Sequence, residues 1–318
     1  MATAGKALPD LLQRSREVKG DEIFYRFSNG LMIKSEVFNK RDRRRILPLG
    51  SPQGSLMNHV LGFPETIRGK SVFEPFAGSG ALGFVALKAG AAHVDFLDIN
   101  PRASEFHREN AALNDFSSTQ FRSITGDIAD FVPARKFELI LANPPFVPTP
   151  DGIEGTMTSN GGPEGSRFVR ILVERLEDLL VPEGRALIYV LQFVKNYRPL
   201  LVEFLSSTSR RRPIEITPAQ ERPISFDAYT NAYSTLFPEA SEAIDGWRRD
   251  LLRKHGNDLA LSHYVVDVGA QSDRPGKCVI RDNFIEKFGE SQLVPSQNEE
   301  ELAFGRVFEN FPPVPRMG

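Results

Sequence analysis

The middle of the chain alternates short apolar runs with segments of helical spacing. The runs have the length of buried strands, and between them apolar residues recur every three or four positions. The pattern predicts strands at 72–76, 93–98, 120–125, 137–142 and 186–192, and helices at 81–89, 102–113 and 166–180, the last closed by Pro182 and Gly184. Such alternation is typical of βαβ units, so we expect an α/β domain with a mostly parallel sheet.

Both ends of this pattern carry additions. Residues 22–38 alternate apolar and polar positions around an Asn-Gly pair, which predicts a β-hairpin. Near the other end, predicted strands at 213–218 and 260–269 are separated by a helix-rich stretch too long for a hairpin loop. We therefore interpret 219–257 as an insertion. The predicted division is an N-terminal extension at 1–60, with the hairpin and a basic segment, followed by a main domain at 61–318.

Composition limits the classes of function. The single cysteine, Cys278, and the lack of a Cys/His cluster at ligand spacing predict neither a disulfide nor a metal site. Without a signal peptide or a run of eighteen apolar residues, the chain is expected to be soluble, cytoplasmic and without a membrane partner. The formal charge of −2 does not favour nucleic acid, and the basic runs at 40–45 and 210–212 are interpreted as solvated faces.

The turn after the first predicted strand, FEPFAGSGALG, is rich in glycine. Gly78, Gly80 and Gly83 have the spacing of a dinucleotide-binding turn, and Asp98 ends the next strand, where a ribose-binding carboxylate is expected. NAD and S-adenosylmethionine both fit this pattern. Glu74 favours the second, because a carboxylate repels pyrophosphate but attracts a sulfonium or ammonium group. The structural alternatives are a tight turn, an Asp98 that caps a helix, and a Glu74 paired with a cation.

The segments EPFAGSGALG, LDINPRA, GDIADF and LILANPPF follow one another along the chain. In this order they resemble the motifs of class I S-adenosylmethionine-dependent methyltransferases. NPPF resembles the Asn-Pro-Pro-Tyr/Phe motif of enzymes that methylate a planar nitrogen, which include HemK-like glutamine methyltransferases and small-domain methyltransferases acting on nucleobase amines. The resemblance implies a Rossmann-like sheet of seven strands, mostly parallel, in which 260–269 is the antiparallel strand.

The resemblance also implies a site. The expected cofactor is S-adenosylmethionine, with Asp98 at the ribose hydroxyls, Asp127 near the adenine amine and Gly78 to Gly80 beside the methionine portion. The full set of expected cofactor residues is Glu74, Phe76, Ala77, Gly78, Gly80, Asp98, Ile99, Asp127, Ile128 and Asn143. The expected catalytic residues are Asn143, Pro144 and Phe146. For Asp127, a turn or helix-capping role is the alternative.

The chemistry of a planar nitrogen explains NPPF. An amide or aryl NH₂ is a poor nucleophile because its lone pair is delocalised. The Asn143 side-chain oxygen and the Pro144 carbonyl can each accept one of its N–H groups, which orients the nitrogen toward the methyl group. Phe146 offers a ring on which a planar amide or base can stack.

The acceptor stays open at the level of sequence. Phe146 replaces the tyrosine more common in HemK-like enzymes, and the N-terminal region is too short and strand-like for their helical substrate domain. A protein glutamine, a nucleobase and a small molecule are all retained as acceptors, as are an NAD-dependent oxidoreductase and a non-catalytic scaffold as distant alternatives. In the insertion, Tyr229, Tyr233, Phe237 and Trp247 are candidates for an aromatic wall, with Arg248, Arg249 and Arg253 facing solvent or an acidic partner. The alternative is an amphipathic helix that packs on the sheet edge. The oligomeric state is not predicted.

Overall fold

The computed structural model describes residues 13–37, 42, 44–61, 64–153, 159–196, 198–208, 211–219 and 223–281. Its strands are β1 Gln13–Lys19, β2 Glu22–Phe27, β3 Met32–Glu36, β4 Ser71–Pro75, β5 His93–Asp98, β6 Phe121–Thr125, β7 Phe137–Ala142, β8 Leu180–Lys195, β9 Arg198–Pro199, β10 Ile214–Pro218, β11 Ile224–Ser225, β12 Leu259–Val268 and β13 Cys278–Ile280. Its α-helices are α1 Ser51–Leu61, α2 Ala81–Lys88, α3 Ala103–Leu113, α4 Arg167–Glu174, α5 Leu176–Leu179, α6 Leu201–Thr208, α7 Phe226–Leu236 and α8 Ser241–His255.

The main sheet has the strand order β13-β10-β12-β8-β7-β4-β5-β6. The pairs from β8 to β6 are parallel, whereas β12 runs antiparallel to both β8 and β10. The predicted α/β fold of seven core strands with one late antiparallel strand is therefore confirmed. The short strand β13 extends the sheet beside β10, whereas β9 and β11 pair with the ends of β8 and β12.

The segment after α4 differs from the prediction of one helix over 166–180. Helical structure is interrupted at Arg175, and β8 already begins at Leu180. The Arg175 side chain donates to the Ala129 and Phe131 carbonyls, 2.9 and 2.5 Å away, which ties this break to the loop after β6. Pro182 and Gly184 lie within β8, at a register shift opposite β7. They interrupt the pairing of a strand instead of following a helix.

The N-terminal hairpin is confirmed, and a further strand precedes it. β1, β2 and β3 form an antiparallel sheet whose buried side chains join the main core. Asn110 of α3 fastens β3 by accepting from the Lys34 amide at 2.6 Å and donating to the Lys34 carbonyl at 3.1 Å. The same side chain donates to the Ser79 carbonyl in the glycine turn, 2.9 Å away. The N-terminal sheet is thus joined to the turn that begins α2, while the division at residue 60 stays a prediction.

The basic runs are only partly described. Residues 40, 41, 43 and 210 lie outside the described residues. Arg212 is only 2% exposed, which contradicts the prediction that its basic run lies on a solvated face. Its guanidinium donates to the carbonyls of Gly184 and Val181, 2.8 and 2.9 Å away, and to Glu177 at 3.1 Å. This arginine joins the irregular start of β8 to the segment before β10.

In the described part of the chain, none of the helices combines the length and apolar character needed to cross a membrane.

Gly83 permits the close packing of α2 on the sheet. A Cβ at this position would lie 2.7 Å from Val94 Cγ1 and 2.8 Å from Glu74 Oε2, and still closer to the Phe96 ring. We predict that Gly83→Ala lowers the free energy of unfolding by about 1–3 kcal/mol, since neither strand can retreat without disturbing the sheet. Urea denaturation measures the effect.

Gly246→Ala is the matched control for this change. Gly246 lies in α8, and a Cβ there would have only the Arg249 side chain, 4.0 Å away, as a neighbour. Helix propensity should raise stability by about 0.5–1 kcal/mol at this position. Equal effects of the two substitutions would contradict close packing as the reason for Gly83.

Candidate active site

A cavity of about 240 Å³ opens where β4, β5 and β7 end, beside the residues that follow β6. The carboxyl ends of parallel strands meet at one edge of a sheet, so motifs far apart in sequence converge there. Nine of the twelve predicted residues line the cavity, namely Glu74, Phe76, Ala77, Gly78, Asp98, Ile99, Asp127, Ile128 and Asn143. Gly80, Pro144 and Phe146 are not among the lining residues.

The glycine turn is held by Asp98. The Gly78 amide donates to Asp98 Oδ2 at 2.7 Å, and the Asn100 amide donates to Oδ1 at 2.8 Å. Phe76 and Gly78 both have positive φ, 60° and 53°, and for phenylalanine this left-handed conformation is strained. The end of β5 therefore fixes a turn that the chain does not adopt readily by itself.

Gly80 has a structural role, while its contact with the cofactor stays a prediction. It precedes α2 with φ of 78°, and a Cβ there would lie 2.9 Å from Phe84 and 3.0 Å from His107. Burial lowers the pKa of His107 to about 3, so this imidazole is neutral at pH 7. Gly80 thus faces a packed layer of rings behind the turn.

Glu74 is buried at the end of β4, and its carboxylate meets the first turn of α2. The Gly83 and Leu82 amides donate to its two oxygens at 2.6 and 3.3 Å. Burial raises the pKa of Glu74 to about 8, although these amides oppose the rise. Burial likewise raises the pKa of Asp98. A positively charged ligand would relieve the cost of ionising these acids, whereas a pyrophosphate would increase it.

Two isoleucines and an aspartate in the cavity lining suit a nucleobase. Ile99 is 53% exposed, which is unusual for a large apolar side chain in this protein, and Ile128 lies on the same lining. Asp127 lines the cavity too, and its Oδ1 accepts from the Ala129 amide at 2.9 Å. The turn role considered for Asp127 is therefore present, and its second carboxylate oxygen can accept from an exocyclic amine.

Asn143 follows β7 and lines the cavity. Its side-chain oxygen is buried and has no hydrogen-bond partner among the described residues, although buried polar atoms are nearly always paired. Pro145, which the sequence did not single out, lines the cavity, while Pro144 does not. A residue of the cavity lining thus carries a buried acceptor atom that has no donor among the described residues.

Phe146 is buried and is not part of the cavity lining. It is 9% exposed, and its ring centroid lies 5.8 Å from that of Tyr189 and 6.2 Å from that of His263. The ring packs in the core beneath the NPPF loop because neighbouring strands supply these aromatic partners. Phe146 is not among the residues that line the cavity, and its role as a stacking surface for an acceptor stays a prediction.

The aromatic residues of the insertion pack behind the loop that follows NPPF and do not line the cavity. The Tyr229 hydroxyl donates to the Pro148 carbonyl at 2.8 Å, and the Trp247 indole donates to the Pro163 carbonyl at 2.9 Å. The Tyr233 hydroxyl lies 3.0 Å from Thr149 Oγ1. Residues 154–158 of the same loop are outside the described residues. The insertion therefore holds both described arms of this loop, and the predicted aromatic wall is not formed at the cavity.

Other predicted insertion residues have separate positions. Phe237 stacks on Tyr233 at 6.0 Å between centroids. Arg248 pairs with Asp227 at 2.5 Å and Arg253 pairs with Asp250 at 2.6 Å. Arg249 is exposed. The three arginines thus lie at the surface, as expected.

Several lining residues were missed by sequence reasoning. Leu47 and Leu49 come from the segment that leads into α1, Gln53 lies in the first turn of α1, and Arg167 and Phe168 begin α4. None belongs to a recognisable motif, and only the fold brings them to the strand ends. Phe168 packs edge-on against Phe76 at 5.7 Å, so it could not have been paired with the glycine turn from spacing alone. No group of three potential metal ligands occurs within the described ranges.

The strand order, the glycine turn and the acidic cavity define a domain of the class I methyltransferase type. Residues 55–211 match the family model of the methyltransferase small domain.

Similar proteins include enzymes with different acceptors. A putative protein N5-glutamine methyltransferase of Methanocaldococcus jannaschii is 32% identical over 34% of this chain and 53% of its own. A tRNA1(Val) (adenine(37)-N6)-methyltransferase of Shewanella loihica is 26% identical over 55% of this chain and 74% of its own. A release factor glutamine methyltransferase of Thermodesulfovibrio yellowstonii is 29% identical over 36% and 44%, respectively. The chain thus spans about half the length of the first of these relatives.

The raised pKa of Glu74 makes stability depend on pH. Because the folded pKa of about 8 exceeds the ordinary glutamate pKa of 4.5, the folded state binds the proton more tightly than the unfolded state. The resulting stabilisation is present below about pH 4.5 and is lost as pH rises toward 8. We predict that Glu74→Gln removes this dependence, which reaches about 1.4 kcal/mol per pH unit at most. Urea denaturation at pH 5, 6, 7 and 8 measures the slope.

Glu138→Gln serves as the control for this prediction. Its environment lowers the pKa of Glu138: burial opposes the change, while the Ser71 amide and Lys70 cause it. Glu138→Gln should therefore change the free energy of unfolding by the same amount at every pH from 5 to 8. If Glu74→Gln also changes the free energy of unfolding by the same amount at every pH in that range, Glu74 is ionised in the folded protein.

Proposed function

We propose that this protein is an S-adenosylmethionine-dependent methyltransferase that methylates a planar amide or amine nitrogen. The observation that carries the proposal is the buried, unpartnered side-chain oxygen of Asn143 at the cavity. Leaving such an acceptor unsatisfied costs about 1–3 kcal/mol, so its retention calls for a ligand that donates an N–H to it. A substrate NH₂ group is such a donor.

The cavity has the chemistry that S-adenosylmethionine requires. Glu74, Asp98 and Asp127 supply three carboxyl groups, and Arg167 is the one cation among the described lining residues. Asp98 would hold the ribose hydroxyls, Ile99 and Ile128 would enclose the adenine, and Asp127 would accept from its amine. Glu74 would face the positive charge of the methionine portion. The same acids oppose a pyrophosphate, which weighs against an NAD-dependent oxidoreductase.

The residues of the chain would act by positioning. S-adenosylmethionine supplies an electrophilic methyl carbon on its sulfonium. Asn143 Oδ1 and the Pro144 carbonyl would each accept one N–H of the acceptor, which aims the nitrogen lone pair along the line of attack. Alignment of this kind contributes about 7–11 kcal/mol in well-oriented reactions. Tyr229 and Trp247 would support this alignment by hydrogen bonds to the backbone that follows the NPPF motif.

The relatives support a planar nitrogen as the shared feature of the acceptor. Their names specify glutamine N5 and adenine N6, which differ in size and surroundings but are both NH₂ groups conjugated to an sp² carbon. Asn143 Oδ1 would accept a hydrogen bond from either NH₂ group. The second candidate is a small-molecule acceptor. The cavity volume of about 240 Å³ favours such an acceptor only if the molecule is compact.

We predict that Asp98→Ala weakens S-adenosylmethionine binding by about 1.5–3 kcal/mol, because two charge-assisted hydrogen bonds to the ribose are lost. Isothermal titration calorimetry measures the affinity. Since Asp98 also holds the Gly78 and Asn100 amides, thermal unfolding must show that the variant is folded at the titration temperature. An unchanged affinity would remove Asp98 from the cofactor site.

We predict that Asn143→Ala leaves S-adenosylmethionine affinity within about twofold and lowers turnover by two orders of magnitude or more, because a positioning contact to the acceptor is lost. Transfer of a tritiated methyl group to cell extract, fractionated into protein, RNA, DNA and small molecules, measures turnover and identifies the acceptor class. Asn231→Ala is the control, since Asn231 is exposed on α7 away from the cavity. Near-normal turnover of Asn143→Ala would end the planar-nitrogen mechanism.

A further inference from the structure

A second cleft, of about 610 Å³, lies beyond the carboxyl end of β8. Four permanently charged cations line it, Arg170, Lys195, Arg198 and Lys254, together with two carboxylates, Glu164 and Glu203. The whole chain has a formal charge of −2. The positive charge of this cleft is therefore a local feature that net charge conceals.

The ion pairs of the cleft leave positive charge unmatched. Glu164 already accepts from the Lys254 ammonium and lies 3.1 Å from His255 Nε2. Lys195 donates to the His255 carbonyl at 3.1 Å, which does not neutralise it. Across the described residues, neither Arg170 nor Arg198 forms an ion pair with a carboxylate. The cleft is thus suited to an anionic ligand.

Arg170 is held in place without being neutralised. Its Nε donates to Ser166 Oγ at 3.1 Å, and its guanidinium lies 4.5 Å from the centroid of the Phe204 ring. A guanidinium that is stacked on one face keeps its in-plane N–H groups available, and this planar arrangement matches phosphate oxygens. The residue is therefore oriented before any ligand binds.

The cleft and the Asn143 cavity share the beginning of α4. Arg167 and Phe168 line the cavity, whereas Ser166 and Arg170 line the cleft. Ala142 pairs with Ile188 across β7 and β8, so Asn143 leaves the sheet level with Tyr189. Gln192, in the wall of the cleft, is three residues further along β8, about 10 Å away at 3.3 Å per residue. A chain a few units long can reach both places.

We propose that this cleft binds phosphate groups of a nucleic-acid acceptor while one of its bases is presented to Asn143. The proposal rests on the proposed function and names its substrate class. A base must leave its stack to place an exocyclic amine in a pocket, and contacts to neighbouring phosphates hold the strand while it does so. A nucleic acid carries one negative charge at every nucleotide, whereas a glutamine side chain brings no negative charge to the cleft.

The test compares two double variants of the full chain. Lys195→Gln/Arg198→Gln removes two exposed cations from the cleft. Arg249→Gln/Arg253→Gln removes two charges from α8 outside the cleft and is the matched control. The probes are a fluorescein-labelled, 20-nucleotide single-stranded RNA of mixed sequence and the DNA of the same sequence. Fluorescence anisotropy between 50 and 300 mM salt gives their dissociation constants, and calorimetry gives S-adenosylmethionine affinity for each protein.

We expect the cleft variant to bind at least one of the two oligonucleotides about tenfold more weakly at 100 mM salt. The slope of log K against log salt should decrease in magnitude by about 1.4, since each lost phosphate contact on a single strand contributes about 0.7. The control variant should keep the wild-type constant within about twofold. The oligonucleotide that shows the larger effect distinguishes RNA from DNA as the acceptor.

Equal weakening by both variants would overturn the proposal, because it would reveal general attraction to surface charge. Absence of oligonucleotide binding would overturn it too, as would cleft-dependent binding of a labelled poly-glutamate peptide with no effect on either oligonucleotide. In these cases S-adenosylmethionine binding by the wild-type protein would leave the proposed function standing. Failure of the wild-type protein to bind S-adenosylmethionine would contradict the proposed function separately.

Discussion

The meeting of the Glu74 carboxylate with the first turn of α2 is the contact on which the site depends. It places a carboxyl group at a helix N-terminus, where the amides of Leu82 and Gly83 need acceptors. The same contact fixes α2 against the end of β4 and makes Gly83 necessary, since a side chain there would meet the carboxylate. Burial makes this acid costly to ionise, so the position combines a structural anchor with a preference for a positive ligand.

Contacts from outside the sheet reinforce the same turn. Asn110 links the Ser79 carbonyl to β3, and Arg102 of the segment after β5 pairs with buried Glu36 at 2.5 Å. Glu36 also accepts from the Ile46 amide at 2.8 Å, which places the segment carrying Leu47 and Leu49 over the cavity. The N-terminal sheet is therefore part of the support for the cavity, in addition to any role in choosing an acceptor.

Sequence reasoning succeeded where a residue's role depends on its neighbours in the chain. The strands His93–Asp98 and Phe137–Ala142 were predicted to the residue, because each is a short apolar run that ends at a polar side chain. It did not anticipate the burial of Phe146, whose ring packs against Tyr189 and His263 on other strands. It also failed for Arg212, which looked solvated within a basic run but is buried among backbone carbonyls. Roles of this kind depend on tertiary packing, which local pattern does not contain.

The unpartnered oxygen of Asn143 also bears on when the proposed reaction stops. A primary amide or amine has two N–H groups, one for Asn143 and one for the Pro144 carbonyl. After one methyl transfer a single N–H remains, so the product cannot satisfy both acceptors in the orientation that presents a lone pair to the methyl group. The second transfer would leave a buried acceptor unpaired, at a cost of about 1–3 kcal/mol, or roughly five- to 150-fold in rate. The geometry of one asparagine would thereby favour release of a monomethylated product.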